Sequence, residues 1–310
     1  MTADGSRGVL LCGVGAPGSL AEVDDFVRGL RGNRPTPPEL LEEMRLRYER
    51  IGGASPLGAI SRKQAAALEE HFRSRGANVP CRYGAVVGVP SLASALKELR
   101  AEGVRDLTCV ALTPYYSGWG VGRYFREVRR LVRSFGNPAR VRFVTSWHLE
   151  PGLVSAFADA VEQARRQLAP AGAGDPLVVF TAHSLPTRLL GPREPYLRLL
   201  GETRRAVAVE LSLQSWISAF QSVGRSEGPW LGPAVEALVE SLVPEPERGV
   251  IVLPYGFIAD NLEILYDLDI DLAEAARRRG IPFARAPVPN LNPRLIEAMA
   301  RAAGGTPRRE

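Results

Sequence analysis

The chain has 310 residues, enough for one large domain or two ordinary ones, with an apolar fraction of 45% that suits a globular core. Its 39 Lys+Arg against 34 Asp+Glu leave a net charge of +5, but basic and acidic residues interleave, as in LEEMRLRYER, and no basic stripe points to nucleic acid. No apolar run approaches the ~20 residues of a membrane span, MTADGSRGVLL lacks the charged start of a secretory leader, and Cys12, Cys81 and Cys109 are widely spaced with no C-x-x-C, so a reducing, cytoplasmic protein without disulfides is expected.

In chain order, the apolar run at 8–13 predicts a first strand. It leads into Gly13-Val14-Gly15-Ala16-Pro17-Gly18, a G-x-G-x-x-G sequence. A dinucleotide site needs that loop inside a βαβ unit of ~30 residues, with an acidic residue closing the second strand. Here the next strand-like run, 82–88, follows only after about 68 residues, where a simple crossover needs about a dozen. The glycine-rich turn is therefore read as backbone closely approaching a flat ligand, or simply as a turn. The long connection predicts helices over 20–31, 38–51 and 59–75, broken by Gly-Gly and Ser-Pro in RYERIGGASPLGAIS. Helices leaving the end of a strand in this way would wall a cleft.

Helix 91–102, strand 107–113, helix 121–134 and strand 141–147 follow. A second set then runs through strands 176–182, 216–221, 248–254 and 282–286, separated by helices 151–168, 197–211, 233–243 and 261–279. A last helix, 292–303, ends in a polar tail, GGTPRRE, expected to be disordered. Strand–helix alternation with continuous apolar strands predicts parallel sheets covered on both faces, an α/β class. Two sets of four strands predict two similar halves, 1–147 with the long helical insertion and 148–286, the C-terminal segment 287–310 packing back on the first half.

In such folds ligands bind beyond the carboxyl ends of the strands. His183 lies there, in FTAHSLP, and reads either as a hydrogen-bonded structural imidazole or as a base or ligand at a cleft rim. Ser184 beside it has no G-x-S-x-G elbow, which argues against a serine hydrolase. In PYGFIADNLEILYDLDID, Asp260 suits a helix cap. Glu263, Asp267 and Asp271 fall at i, i+4 and i+8, one row on an α-helix, where like charges repel by about a few tenths of a kcal/mol per pair. Such a row is either a solvated acidic face or a set of hard ligands that holds a cation loosely and passes it on. Were the strands before His183 and Glu263 neighbours, the two side chains would face one ligand: a base and a carboxylate, as proton removal coupled to cation delivery needs. Tyr115, Tyr116, Trp119 and Tyr124 in PYYSGWGVGRY, and Trp230 with Leu231 in GPWLGP, suit either a large flat apolar ligand or local packing.

AHSLP, QSVG followed by PWLGP, PYGFIADNLEILYDLDID, YERIGGASPL and LTPYYSGWGVGRY occur in the order and spacing of ferrochelatases, and the chain resembles that family from about residue 8 to residue 300. RPTPPELLEEMRLRYERIGGASPL is most similar to the compact bacterial coproporphyrin ferrochelatases. The resemblance implies two Rossmann-like domains with a cleft between them, and insertion of Fe(II) into a porphyrin, coproporphyrin III by the closer likeness, with release of two protons in haem biosynthesis. It assigns His183 and Glu263 to catalysis and metal handling, and Asp267 and Asp271 to a carboxylate ridge for metal or protons. Ser55, Tyr124 and Arg31 are assigned to the substrate's carboxylate arms, and Trp230 and Val14 to substrate contact. No tightly bound cofactor is implied: Fe(II) is a substrate, and no cysteine-rich C-terminal extension suggests an iron–sulfur cluster. The expected partners are the porphyrin, Fe(II) and a downstream haem-handling enzyme, on a monomer that neither binds nucleic acid nor spans a membrane.

The chain departs from the family pattern at three places. Val14 stands where related bacterial enzymes carry tyrosine, Pro90 and Ser91 where they can carry lysine and histidine, and Asn261 where histidine is frequent. Those departures define the alternatives: a tetrapyrrole-binding protein with impaired catalysis, or a chelatase for another divalent metal.

Overall fold

The computed structural model describes residues 6–32, 34–136, 140–169, 175–224, 228–244 and 248–304. The polar tail beyond 304 and positions 225–227 of the QSVGRSEGPWLGP loop lie outside the described residues. The chain divides into two compact units, Met1–Glu150 with Asn290–Glu310, and Pro151–Pro289. No helix among the described residues is long and apolar enough to cross a membrane.

In the first unit β1 (Ser6–Gly13), β2 (Cys81–Ala85), β3 (Val104–Ala111) and β4 (Arg140–Val144) form a parallel sheet in the order β2-β1-β3-β4. The chain winds from β1 to one side and then to the other, which places a topological switch point between β1 and β3. The long connection holds a 3₁₀ turn (Leu20–Glu22) and the helices α1 (Val23–Arg31), α2 (Pro38–Arg50) and α3 (Leu57–Arg73). The helices α4 (Leu92–Ala101) and α5 (Val121–Phe135) follow β2 and β3. Leu10 and Cys12 of β1 and Leu107, Cys109 and Ala111 of β3 alternate onto one sheet face. There they meet Leu92, Leu96 and Leu99 of α4 and Phe125, Val128 and Leu131 of α5, so a period of two on the strands matches a helical stripe.

α3 and α10 (Pro293–Gly304) pack together on this unit's sheet. The Gln64 side-chain amide donates to the Asn290 carbonyl at 2.7 Å. Arg142 on β4 donates to the Ala302 carbonyl at 3.4 Å and to that of Ala303, satisfying carbonyls that the end of α10 would otherwise leave open.

The glycine-rich turn after β1 has a structural cause. Val86 and Val87 N–H donate to the Gly13 and Val14 carbonyls, both at 3.0 Å, so the loop after β2 runs beside it. Gly15 has φ +94°, and a Cβ there would lie 1.7 Å from the Val87 carbonyl oxygen. The turn thus needs glycine for backbone-to-backbone packing. Gly15→Ala is expected to destabilise the protein by about 2 kcal/mol or more, from overpacking and a left-handed side chain. Denaturant unfolding measures this, and a loss under about 0.5 kcal/mol would show that the loop yields freely.

In the second unit β5 (Leu177–His183), β6 (Trp216–Gln221), β7 (Val250–Leu253) and β8 (Phe283–Arg285) form a parallel sheet ordered β6-β5-β7-β8, the same winding as the first. Its helices are α6 (Pro151–Leu168), α7 (Tyr196–Glu210), α8 (Val235–Ser241) and α9 (Ala273–Arg278), with a 3₁₀ turn at Thr187–Leu189. Val179, Ala219, Val250 and Val252 pack under Val239, Ile264, Leu268 and Leu272.

Two expectations are corrected. β2 and β4 end at Ala85 and Val144, short of the predicted 88 and 147, because the following residues bond to other loops; Trp147 N–H, for example, donates to the Pro114 carbonyl at 3.1 Å. The helix predicted over 261–279 is not uniformly α: Glu263–Leu272 is π-helical and only Ala273–Arg278 is α. A spacing of four overshoots an α turn of about 3.6 residues but falls short of the wider π turn. The row of Glu263, Asp267 and Asp271 therefore drifts in the opposite sense from the α expectation.

Candidate active site

β5 and β7 are adjacent, pairing Leu177–Phe180 with Val250–Leu253, so the loops leaving their carboxyl ends flank the switch point of the second sheet. His183 is the last residue of β5. The loop after β7 closes onto it: Gly256 N–H donates to the Thr181 carbonyl at 3.2 Å, and a Cβ on Gly256 would lie 2.8 Å from Ala182 Cα. Glycine is what permits that approach.

The loop then turns into the π-helical segment. Asn261 Oδ1 accepts from the backbone N–H of Glu263 at 2.9 Å and of Ile264 at 3.3 Å, the geometry of an N-cap. The expected cap, Asp260, is corrected: its carboxylate is drawn 3.5 Å from Arg285. Arg285 also grips Asp269 of the π segment through two bonds of 2.7 Å, the planar fork that guanidinium and carboxylate make best.

These elements bring His183 Nδ1 to 3.0 Å from Glu263 Oε2, with the side chains 39% and 35% exposed, paired yet open to a ligand. Burial disfavours the imidazolium, but the Glu263 charge and hydrogen bond, helped by Asp267, outweigh it and hold the His183 pKa above its ordinary 6.5. With Nδ1–H committed to Glu263, the imidazole's Nε2 carries the lone pair that can take a proton or meet a metal.

Asp267 is only 7% exposed and accepts a 2.6 Å hydrogen bond from the Ser222 hydroxyl. Ser222 has φ +59°, a left-handed backbone that is uncommon outside glycine and here aims the hydroxyl. Asp271 is exposed, so the carboxylate row runs from the His183 pair to the surface. Among the described residues no three or more His, Cys, Asp and Glu side chains converge to hold a metal ion together.

The other expected residues fall as follows. Ser184 is fully buried and its hydroxyl donates to the Leu231 carbonyl at 2.8 Å, so it serves loop packing. Half-buried Trp230 bridges to Pro186, and its ring lies so near Gly224 that a Cβ there would be 2.4 Å away. In the first unit Ser55 is buried; its Oγ accepts from Leu57 N–H at 3.3 Å and its N–H donates to the Pro17 carbonyl at 3.2 Å, tying α3 to the glycine-rich turn. Arg31 Nε donates to the Pro35 carbonyl at 2.8 Å, folding the guanidinium onto its own chain. Val14 and Tyr124 are half-buried, Tyr124 against the α4–α5 side of the core. Ser91 caps α4 by accepting from Ser94 N–H at 3.1 Å. Of the aromatic cluster, Tyr115 is 1% exposed and belongs to the core, whereas Trp119 is 52% exposed.

Sequence reasoning missed the residues behind the pair. The Tyr196 hydroxyl donates to the His183 carbonyl at 2.9 Å. Gln221 accepts from the Thr181 hydroxyl at 2.9 Å and donates to the Glu263 carbonyl at 3.2 Å. The available signal was a glutamine closing an apolar strand, where a buried position carries an amide.

The ferrochelatase family model matches residues 6–304. The chain is 31% identical to a ferrochelatase of Deinococcus radiodurans over 94% of this chain and 93% of that one. It is 30% identical to a coproporphyrin III ferrochelatase of Anoxybacillus flavithermus, covering 94% of each, and 33% identical to a ferrochelatase of Acidobacterium capsulatum over 95% and 93%. Among solved structures, SirB from Bacillus subtilis with Fe3+ matches with a TM-score of 0.59 at 11% identity over 96% of each chain, a likeness of fold. The match spans both sheets and every strand-end loop described above, and the chain belongs to the ferrochelatase family, enzymes that insert a metal ion into a porphyrin.

Proposed function

We propose that the protein inserts Fe(II) into coproporphyrin III in haem biosynthesis, releasing two pyrrole protons for each metal bound. The observation that carries this reading is the His183–Glu263 pair at the switch point of the second sheet. Insertion is slow without a catalyst because the planar ring hides its nitrogens and keeps two protons. His183 Nε2 takes one pyrrole proton, and its raised pKa makes it the stronger base for that task; the proton then leaves through the carboxylate row, whose Asp271 is exposed to solvent, and the freed imidazole takes the second. Glu263 stabilises the imidazolium that forms, and with Asp267 and Asp271 offers hard, sparse ligands from which iron departs readily. Ser55, Tyr124 and Arg31 of the first unit are assigned to carboxylate arms, and Trp230 and Val14 to ring contact. The choice of coproporphyrin III is supported by the names of several relatives. Action in the cytoplasm is supported by three cysteines that are free thiols.

The test is to mix purified protein with Fe(II) and coproporphyrin III or protoporphyrin IX anaerobically and follow the Soret and visible bands. The expected result is rapid growth of the metalloporphyrin spectrum, faster for coproporphyrin III. A red-shifted bound porphyrin that never metallates would replace this reading by a tetrapyrrole-binding one.

A further inference from the structure

We propose that Gln221 is a positioning residue that sets the placement of Glu263 against His183. The inference rests on the role given above to that pair.

Gln221 and Thr181 are both fully buried. A backbone carbonyl can only accept, so the Gln221 amide must turn its nitrogen to Glu263 and its oxygen to Thr181, whose hydroxyl then donates. Every polar atom along this line has one role. The main chain of Gln221 is equally committed: it is the register partner of His183 on the neighbouring strand, and its carbonyl accepts from Ser184 N–H at 2.9 Å. One residue is thus bonded to the strand that ends in His183 and to the first residue of the π-helical segment. Asn261 holds the Glu263 N–H from the other side at 2.9 Å. Both main-chain polar groups of Glu263 are therefore held by side-chain amides, and only its side-chain torsions remain to bring Oε2 to His183.

An apolar side chain of similar size would fill the same space without the cost of burying an amide. Support of β6 against the helix does not require that amide; orientation of the Glu263 main chain does. Thr181 matters because it decides which end of the amide faces the helix.

Gln221→Met keeps the length and removes both hydrogen bonds. Its kcat for porphyrin metallation is expected to fall about tenfold with KM for the porphyrin within about twofold, since misplacing a catalytic group costs turnover rather than binding. The chain has 3 histidines, so the His183 ring nitrogens are readily followed by 15N NMR. The Nδ1 signal is expected to move toward its position in Glu263→Gln. Added to Glu263→Gln, Gln221→Met should change kcat by less than about twofold, because no carboxylate is left to place. An equal loss in both backgrounds, or an unchanged His183 signal in Gln221→Met, overturns the inference. If Gln221→Met does not fold, Thr181→Val removes only the orienting hydroxyl and is read by the same signal and cycle, with a loss of about threefold. Wild-type rates in both His183→Ala and Glu263→Gln would instead overturn the role of the pair itself; loss in those two with an unmoved His183 signal in Gln221→Met sinks the positioning inference alone.

Discussion

Replacing His183 by alanine is expected to abolish metal insertion in a protein that still folds. The imidazole is the group whose free nitrogen can receive a pyrrole proton, and loss of a general base costs about 10²–10⁴ in rate. The fold should survive because the side chain ends a strand and is 39% exposed rather than packed in the core. The contacts that secure this strand end belong to the main chain: the Tyr196 hydroxyl bonds the His183 carbonyl, and Ser184 N–H bonds the Gln221 carbonyl. Circular dichroism and the thermal midpoint should stay near wild type while metallation of bound porphyrin falls to background. A turnover within about threefold of wild type would remove His183 from the mechanism.

Glu263→Gln is expected to lower turnover by about 10–10², more than it lowers porphyrin affinity, because the carboxylate acts on the imidazolium that forms during proton transfer. Its pH dependence has a definite sign. Burial lowers the His183 pKa, while the Glu263 charge and hydrogen bond, with Asp267, raise it to a net value above 6.5. A folded-state pKa above the unfolded one stabilises the protein fully below the unfolded value, and that contribution is lost as pH rises through the folded value. Metallation that needs a neutral imidazole should rise over the same upper interval. In Glu263→Gln burial is left with weaker opposition, so the inflection of the rate profile moves to lower pH. Rate profiles of the two proteins at matched porphyrin saturation measure the difference. An inflection that stays in place, or a collapse of affinity with turnover per bound ring preserved, would make Glu263 a binding residue only.

Asn261, one of the departures from the pattern that the resemblance led one to expect, has a clear role in this chain: its side chain caps the π-helical segment at Glu263 and Ile264. Ser91, in another departing position, caps α4. Both residues that replace expected imidazoles thus stabilise helix starts. The proposed chemistry in the second unit rests on a single histidine, paired with Glu263.

Much of the candidate site was legible because its residues sit in short motifs at strand ends, where a parallel α/β fold presents polar groups. Local pattern offered His183 and Glu263 as candidates, and the resemblance to a family gave them their roles. Local pattern does not reveal a side chain's partner, and there the sequence reading falls short. Asp260 is a good capping residue by type, but Arg285, distant in sequence, claims its carboxylate. For Tyr115 local pattern left ligand contact and packing open, and its burial in the core decides for packing. Gln221 and Ser222 went unassigned because nothing in their own neighbourhood shows the helix that they hold.

By itself the sequence determined the alternation of strands and helices, the presence of two four-stranded sets and the glycine-rich turn without a dinucleotide unit. Those features follow from side-chain periodicity and backbone freedom, which are local properties. Only the tertiary structure decided that β7 lies beside β5, and so that His183 and Glu263, 80 positions apart, meet at 3.0 Å. It alone decided that the acidic row winds as a π-helix, anchored by Arg285 on Asp269 and by Gln221 on the Glu263 carbonyl. Strand order and the choice of hydrogen-bond partners depend on which surfaces bury one another, a balance struck among residues that are neighbours in space and strangers in sequence.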